Sequence, residues 1–228
     1  MNGHIAIAID GPAGAGKSTL ARRCASHFSF LYVDTGAIYR TLGLAALRRG
    51  IDCKDAVAVT ELLPQLDIRL RYNENGEQRM YLDGEDVSEE IRKPEISICA
   101  SDVSAHADVR RYLLEMQRRL ARENDVIMDG RDIGTVVLPD AEVKIFLTAS
   151  AEERARRRMR DLEKKGIAQD YESILEDIRY RDRQDSGRAA APLKAADDAV
   201  LVDTSELSFE ESFEKLCNVI AGKAGLKR

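Results

Sequence analysis

Lys17 and Ser18 close the stretch Gly11-Pro12-Ala13-Gly14-Ala15-Gly16-Lys17-Ser18, which fills every fixed position of the pattern G-x-x-x-x-G-K-[ST]. The glycines let the backbone curl so that successive N–H groups point inward at a phosphate. Lys17 adds a positive charge for the outer phosphate oxygens, and Ser18 offers a hydroxyl to Mg²⁺. From Thr19 the sequence reads as a helix, whose free N–H groups and dipole favour the same anion. A triphosphate held this way needs a second carboxylate for its metal. Asp129 ends the apolar run Val126-Ile127-Met128, at the kind of strand end where ligands gather in open α/β sheets. It is the expected Mg²⁺-side residue, acting through a water because Mg²⁺ sheds its hydration reluctantly.

Arginine supplies the second chemical signal, at Arg40, Arg110, Arg131, Arg154, Arg157, Arg158, Arg181, Arg183 and Arg188. Its planar fork suits bidentate phosphate recognition, and two anionic substrates brought together need neutralising. Catalysis of phosphoryl transfer is mostly positioning plus charge stabilisation. Glu152 with Arg156, and Glu153 with Arg157, are i,i+4 pairs that can simply support a helix. Arg154 and Arg158 have no acidic residue four positions earlier and share a face, so they are the expected phosphate sensors. No residue stands out as a positioned catalytic base. A phosphate monoester acceptor needs none, since its second pKa near 6 leaves it largely dianionic at neutral pH.

The elements that must carry these groups alternate in type. Ile5–Ile9, Leu31–Val33, Val126–Met128, Val143–Leu147 and Val200–Val202 are short apolar runs that suit strands buried on both faces. Helical segments are expected from Thr19 to Phe28, from about Gly36 to Arg49, and near 108–123, 150–165, 171–183 and 208–222. The order predicts an α/β fold, a doubly wound parallel five-stranded sheet of the P-loop NTPase type. Two stretches break the alternation. Leu66–Leu82 reads as two strands around the turn Asn73-Glu74-Asn75-Gly76, an inserted small antiparallel region. Arg154–Arg188 is rich in arginine and aspartate with few large apolar residues after Leu162, a mobile surface helix pair suited to a lid. The expected division is a core of 1–62, 106–150 and 189–228, an insertion at about 63–105, and a lid at about 154–188.

Charge and composition narrow the partners. With 35 Lys and Arg against 40 Asp and Glu the net charge is −5, which disfavours a nucleic-acid-binding role and requires any anion to be held by a local cluster. No apolar run approaches the roughly 18 residues that span a bilayer, so no membrane association is expected. The start, Met1-Asn2-Gly3-His4, lacks the basic and small-residue marks of a signal peptide. Cys24, Cys53, Cys99 and Cys217 are widely spaced and suit free thiols in the cytoplasm. A GTPase switch would need a guanine-reading N-K-x-D segment, which is absent.

Several segments together resemble the bacterial cytidylate kinases of the nucleoside monophosphate kinase group, over essentially the whole chain. They are Ile9-Asp10-Gly11-Pro12 through Lys17; Asp34-Thr35-Gly36-Ala37-Ile38-Tyr39-Arg40; Asp129-Gly130-Arg131-Asp132; Phe146-Leu147 through Glu152-Glu153-Arg154; and Arg181 through Asp185 to Arg188 and Ala191-Pro192-Leu193. The hairpin at 66–82 resembles that family's enlarged monophosphate-binding region. The resemblance implies transfer of the γ-phosphoryl of ATP, with Mg²⁺, to CMP or dCMP by a monomer. It implies that Asp132 accepts from the cytosine amine, with Ser101 and Arg110 on the rest of the base edge. It also implies that Arg40, Arg131 and Arg188 clamp the monophosphate, and that Tyr39, Arg181 and Asp185 form the sugar side. Thr35 stands where the family commonly has Ser. Other readings stay open: a small P-loop kinase for UMP or a hydroxylated metabolite, a non-enzymatic ATP-binding module, or a nucleic-acid-processing ATPase, the last disfavoured by charge.

Overall fold

The computed structural model describes residues 4–164 and 166–226. Met1–Gly3, used in the signal-peptide argument, and Lys165, at the end of the expected 150–165 helix, lie outside them, as do the last two residues of the C-terminal core segment, Lys227 and Arg228. Five parallel strands form the main sheet in the order β2 (Leu31–Asp34), β6 (Val126–Gly130), β1 (Ala6–Asp10), β7 (Val143–Thr148) and β8 (Val200–Asp203). β1 is central, its Ile9 paired with Asp129 on one side and Ile145 on the other. The register puts Asp10, Asp34 and Asp129 at one carboxyl edge of the sheet. That edge is where an open parallel sheet presents its loops to a ligand.

The helices are α1 (Lys17–Phe28), α2 (Thr35–Arg48), α3 (Ala56–Leu62), α4 (Pro94–Ser104), α5 (Ala107–Glu123), α6 (Ala151–Lys164), α7 (Tyr171–Gly187) and α8 (Phe209–Ala224). Local chemistry sets many of their ends. Asp34 and Asp170 accept from the backbone N–H of Ala37 and Ser173, and Ser208 with Glu211 forms a reciprocal capping box on α8. One apolar cluster, including Ile7, Ile9, Leu20, Ile145 and Ile220, packs α1 and α8 on one face of the sheet. A second, around Val33, Met128, Ile133 and Val137, lies with α5 residues on the other.

The inserted region has three strands: β3 (Ile68–Tyr72), β4 (Gln78–Leu82) and the short β5 (Glu85–Asp86). Its Met80 and Leu82 share a cluster with Ile38 and Leu42 of α2, Val59 and Leu62 of α3, and Leu113 of α5. It therefore has no separate core. Gln78 pins it to the main sheet, its amide oxygen accepting from Asp34 N at 2.7 Å and its nitrogen donating to Asp34 O at 3.1 Å. Tyr72 adds a bond from its hydroxyl to Tyr32 O at 2.7 Å.

Two expectations need correcting. The sequence reading expected only two strands in the insertion and no helices between Arg49 and Leu66 or in the segment after Leu82; α3 and α4 fill those places. α3 is short, and α4 mixes a buried Ile96 and Val103 with an exposed Ile98, which blurs its period. The α6–α7 pair is also better packed than its charge-rich composition indicated. Ala155 and Leu162 of α6 bury against Ile174, Leu175 and Ile178 of α7, with Met159 and Tyr171 alongside. No helix among the described residues is long and apolar enough to cross a membrane.

Candidate active site

The ends of β2 and β6, the loop after β1, α4, α5, α6 and α7 enclose a cavity of about 900 Å³. Ten Lys and Arg side chains and six Asp and Glu side chains line it, an excess of positive charge on a chain whose net charge is −5.

Its first half is the loop Gly11–Gly16. Gly11 leaves β1 at φ 150°, where a Cβ would stand 1.9 Å from the Leu147 carbonyl oxygen, so no side chain fits. Gly16 caps α1 in a left-handed conformation at φ 86°, and Gly14 turns at φ 76°. Ala13, Gly14, Gly16, Lys17, Ser18 and Thr19 face the cavity, whereas Gly11, Pro12 and Ala15 stand behind it. Lys17 donates to the Pro12 carbonyl at 2.8 Å. Burial, then the nearby Arg131 charge, pushes its ammonium down to about 7. Such a group gains when an anion arrives to share its charge.

Ser18 donates from Oγ to Asp129 Oδ2 at 2.8 Å, and the Tyr32 hydroxyl donates to Asp129 Oδ1 at 2.9 Å. Burial, then the neighbouring Asp34 charge, lifts the Asp129 carboxyl to about 6. A hydroxyl and a buried carboxylate in contact form an oxygen-only donor pair, which suits a hard cation such as Mg²⁺.

The other half is built from β6 onward and from α4, α5 and α7. Asp132 is buried and ion-paired with Arg110, whose guanidinium lies 5.3 Å from the Tyr39 ring centroid. Ser101 faces the same space. Thr35 lines it too, but its hydroxyl donates to the Asp129 carbonyl at 2.8 Å. Arg131 donates from Nε to Asp185 Oδ2 at 2.9 Å, and Arg40 is 3.7 Å from Asp34. Arg188 donates to Ser104 Oγ at 3.2 Å and to the Asp185 carbonyl at 3.3 Å; its second terminal nitrogen is buried with no hydrogen-bond partner among the described residues. Burial lowers the pKa of Arg188 and of Arg181; the charge of Arg158 adds to the effect at Arg181, and that of Arg110 at Arg188. Crowded guanidinium groups with an unused buried N–H form a site suited to an anion.

Arg154 departs from its expected place. Sequence pairing rules left it free for phosphate alongside Arg158, but only Arg158 faces the cavity. Arg154 donates to Asp182 Oδ1 and Oδ2 at 2.9 and 2.6 Å, to Ala149 O at 2.9 Å and to Ala13 O at 3.1 Å. The acid it lacks four residues back is supplied by α7. In this arrangement it ties α6 and α7 to the glycine-rich loop. Arg157 reverses the case. It keeps its helix pair with Glu153 at 3.1 Å, yet lines the cavity and reaches Ala15 O at 3.3 Å and Thr204 O at 2.6 Å. Arg160, Lys164, Leu207 and Phe209 also line this end and had no sequence signal beyond basic or apolar character. Asp182 was likewise missed, because its partner lies 28 positions away.

Comparison with known proteins fits this arrangement. Residues 7–222 match the family model described as cytidylate kinase. The chain is 51% identical to a cytidylate kinase of Caldicellulosiruptor bescii over 93% of either chain, and 48% identical to one of Bacillus licheniformis over 98% of this chain and 99% of that one. The crystal structure of an uncharacterized protein from Eubacterium ventriosum aligns over 98% of this chain and 100% of that chain at 13% identity with TM-score 0.50, a likeness of fold alone. A glycine-rich loop, an acid-paired arginine cavity and half of all residues shared across nearly the full length agree: the chain belongs to the cytidylate kinase family.

Proposed function

We propose that this protein transfers the γ-phosphoryl group of ATP to CMP or dCMP, giving ADP and CDP or dCDP. The observation that carries the reading is that one cavity joins a phosphate-cradling loop with Lys17 to a second cationic pocket whose floor is the Asp132–Arg110 pair. ATP lies along Gly11–Thr19 with its outer phosphates at Lys17, and Arg158 from α6 faces the transferring group. Ser18 and Asp129 would hold Mg²⁺, which would neutralise charge on the phosphate oxygens. Arg131, Arg188 and Arg40 hold the acceptor phosphate, with Tyr39, Arg181 and Asp185 beside the sugar. An acceptor oxygen forms the new bond to the γ-phosphorus as the bridging bond to the β-phosphate breaks, and ADP leaves with that electron pair. The acceptor is already dianionic at neutral pH, so no general base is needed.

Asp132 reads the base. A carboxylate accepts from the exocyclic amine of cytosine, as acidic side chains do when cytosine is read in DNA, whereas uracil offers a carbonyl oxygen there. Ser101 and Arg110 address the remaining edge, and Thr35 supports the site from behind through the Asp129 carbonyl. Residues of about 63–105 serve as the acceptor-binding insertion and about 154–188 as a lid, whose closure excludes water from the transfer. The site is built from one chain, so a monomer suffices, and four cysteines joined in no disulfide fit a cytoplasmic setting. Coupled detection of ADP across a panel of monophosphates tests the reading. CMP and dCMP should stimulate ADP release strongly and UMP weakly, and Asp132→Ala should raise KM for CMP far more than KM for ATP. ADP release indifferent to any pyrimidine monophosphate would refute it.

A further inference from the structure

Asp10 lies at the C-terminal end of the central strand, directly before the glycine where the chain peels away into the phosphate loop. It is only 4% exposed. Burying a carboxylate is expensive unless its oxygens are satisfied, and here each oxygen takes one backbone N–H: Oδ1 from Ile133 at 2.8 Å and Oδ2 from Gly134 at 2.7 Å. Those amides open a single π-helical turn, Ile133–Val137, that begins immediately after Asp132. The Asp132 carbonyl is itself held in that turn by Val136 N at 2.9 Å and Val137 N at 3.2 Å. The backbone of Asp132 is thus fixed on both sides of its peptide, by the turn it starts and by the carboxylate that anchors the turn. Its surroundings leave little slack: a Cβ on Gly130 would come within 2.6 Å of Ile133 and 2.8 Å of Thr35 Oγ1.

We propose that Asp10 is the positioning residue for the acceptor base: by clamping the turn after Asp132 to the root of the phosphate loop, it sets the direction in which Asp132 faces cytosine. Asp10 lies outside the cavity lining and is expected to touch neither substrate. The inference rests on the assignment of Asp132 as the base-reading carboxylate. It explains why a charged residue persists at a buried strand end where a neutral one would avoid the desolvation penalty. Asparagine cannot replace it, because its amide nitrogen would face a backbone N–H and only one of the two bonds could form.

The test is steady-state kinetics of Asp10→Asn, Asp132→Ala and the double variant, with amide hydrogen exchange at residues 133 and 134. Asp10→Asn should raise KM for CMP about tenfold, the worth of one charge-assisted hydrogen bond, while KM for ATP stays within about twofold. It should also expose the two amides to exchange and narrow the preference for CMP over UMP. In the Asp132→Ala background the same substitution should add almost nothing to KM for CMP, since it acts through Asp132. Should the asparagine variant not fold, Asp10→Ser, smaller and uncharged, carries the same expectations. Equal rises in both KM values, or effects that simply add in the double variant, would overturn the proposal and leave a purely structural role. A wild-type enzyme without CMP-stimulated ADP release would overturn the functional reading, and this inference with it. An active wild type with an unchanged KM for CMP in Asp10→Asn overturns this inference alone.

Discussion

Removing the carboxylate of Asp182 unties α7 from Arg154, the side chain that joins α6 to the glycine-rich loop. The Arg154 side chain is 6% exposed and Asp182 29%, and two hydrogen bonds of 2.9 and 2.6 Å join them. Breaking a buried ion pair by deleting one partner costs about 3–5 kcal/mol. Asp182 keeps part of its hydration and Arg154 keeps the carbonyls of Ala149 and Ala13, so about 2–3 kcal/mol is the expected loss for Asp182→Ala. At about 2–4 °C per kcal/mol for a chain of this size, the midpoint should fall by about 4–12 °C in scanning calorimetry. Arg154, held less firmly, then loosens its grip on the Ala13 carbonyl of the loop proposed to bind ATP, so KM for ATP should rise about five- to tenfold while KM for CMP moves less. Arg154→Lys should not substitute for the original, because one ammonium cannot serve four acceptors spread over three segments. A midpoint within about 1 °C of wild type, together with an unaltered KM for ATP, would refute the reasoning.

Lys17→Met should abolish transfer while leaving the far-ultraviolet circular dichroism and the melting temperature intact, because it removes a buried charge whose pKa burial already lowers to about 7. Asp129→Asn should raise the Mg²⁺ concentration for half-maximal rate about tenfold, read from initial rates across a Mg²⁺ titration. Burial lifts Asp10 from its ordinary 3.8 to about 6, a shift to which Asp132 adds and which its two backbone N–H bonds and Lys17 oppose. The folded state then binds more protons than the unfolded one between about pH 4 and 6, so the stability this group contributes falls as pH rises through that window. The difference in unfolding free energy between wild type and Asp10→Asn should therefore shrink by an order of 2–3 kcal/mol from pH 4 to pH 6.5, measured by urea titration.

The parallel sheet was legible because its strands are short apolar runs at regular intervals, and the phosphate loop because glycine spacing there follows from close backbone approach to an anion. The acceptor pocket was harder. Asp132, Arg110 and Arg188 are far apart in sequence and only topology unites them; they were placed by resemblance to a family rather than by pattern. Local pairing rules failed at Arg154, since an i,i+4 count is blind to Asp182 on the next helix. They were incomplete at Arg157, where a helix pair and a tertiary grip coexist on one guanidinium. Asp10 stood in the sequence only as part of the segment leading into the glycine-rich loop, and the partners that give it meaning lie more than a hundred residues on. α4 escaped because its exposed Ile98 interrupts the apolar face.

The side-chain amide of Gln78 meets both backbone groups of Asp34, on the outermost strand of the parallel sheet. A bare margin of that kind recruits strands from other molecules. Here a glutamine imitates one residue of a neighbouring strand, and Tyr72 occupies the carbonyl two positions earlier. The small inserted sheet thus serves as a bumper against intermolecular ladder growth, and weakening it by Gln78→Ala would show first as aggregation of concentrated protein.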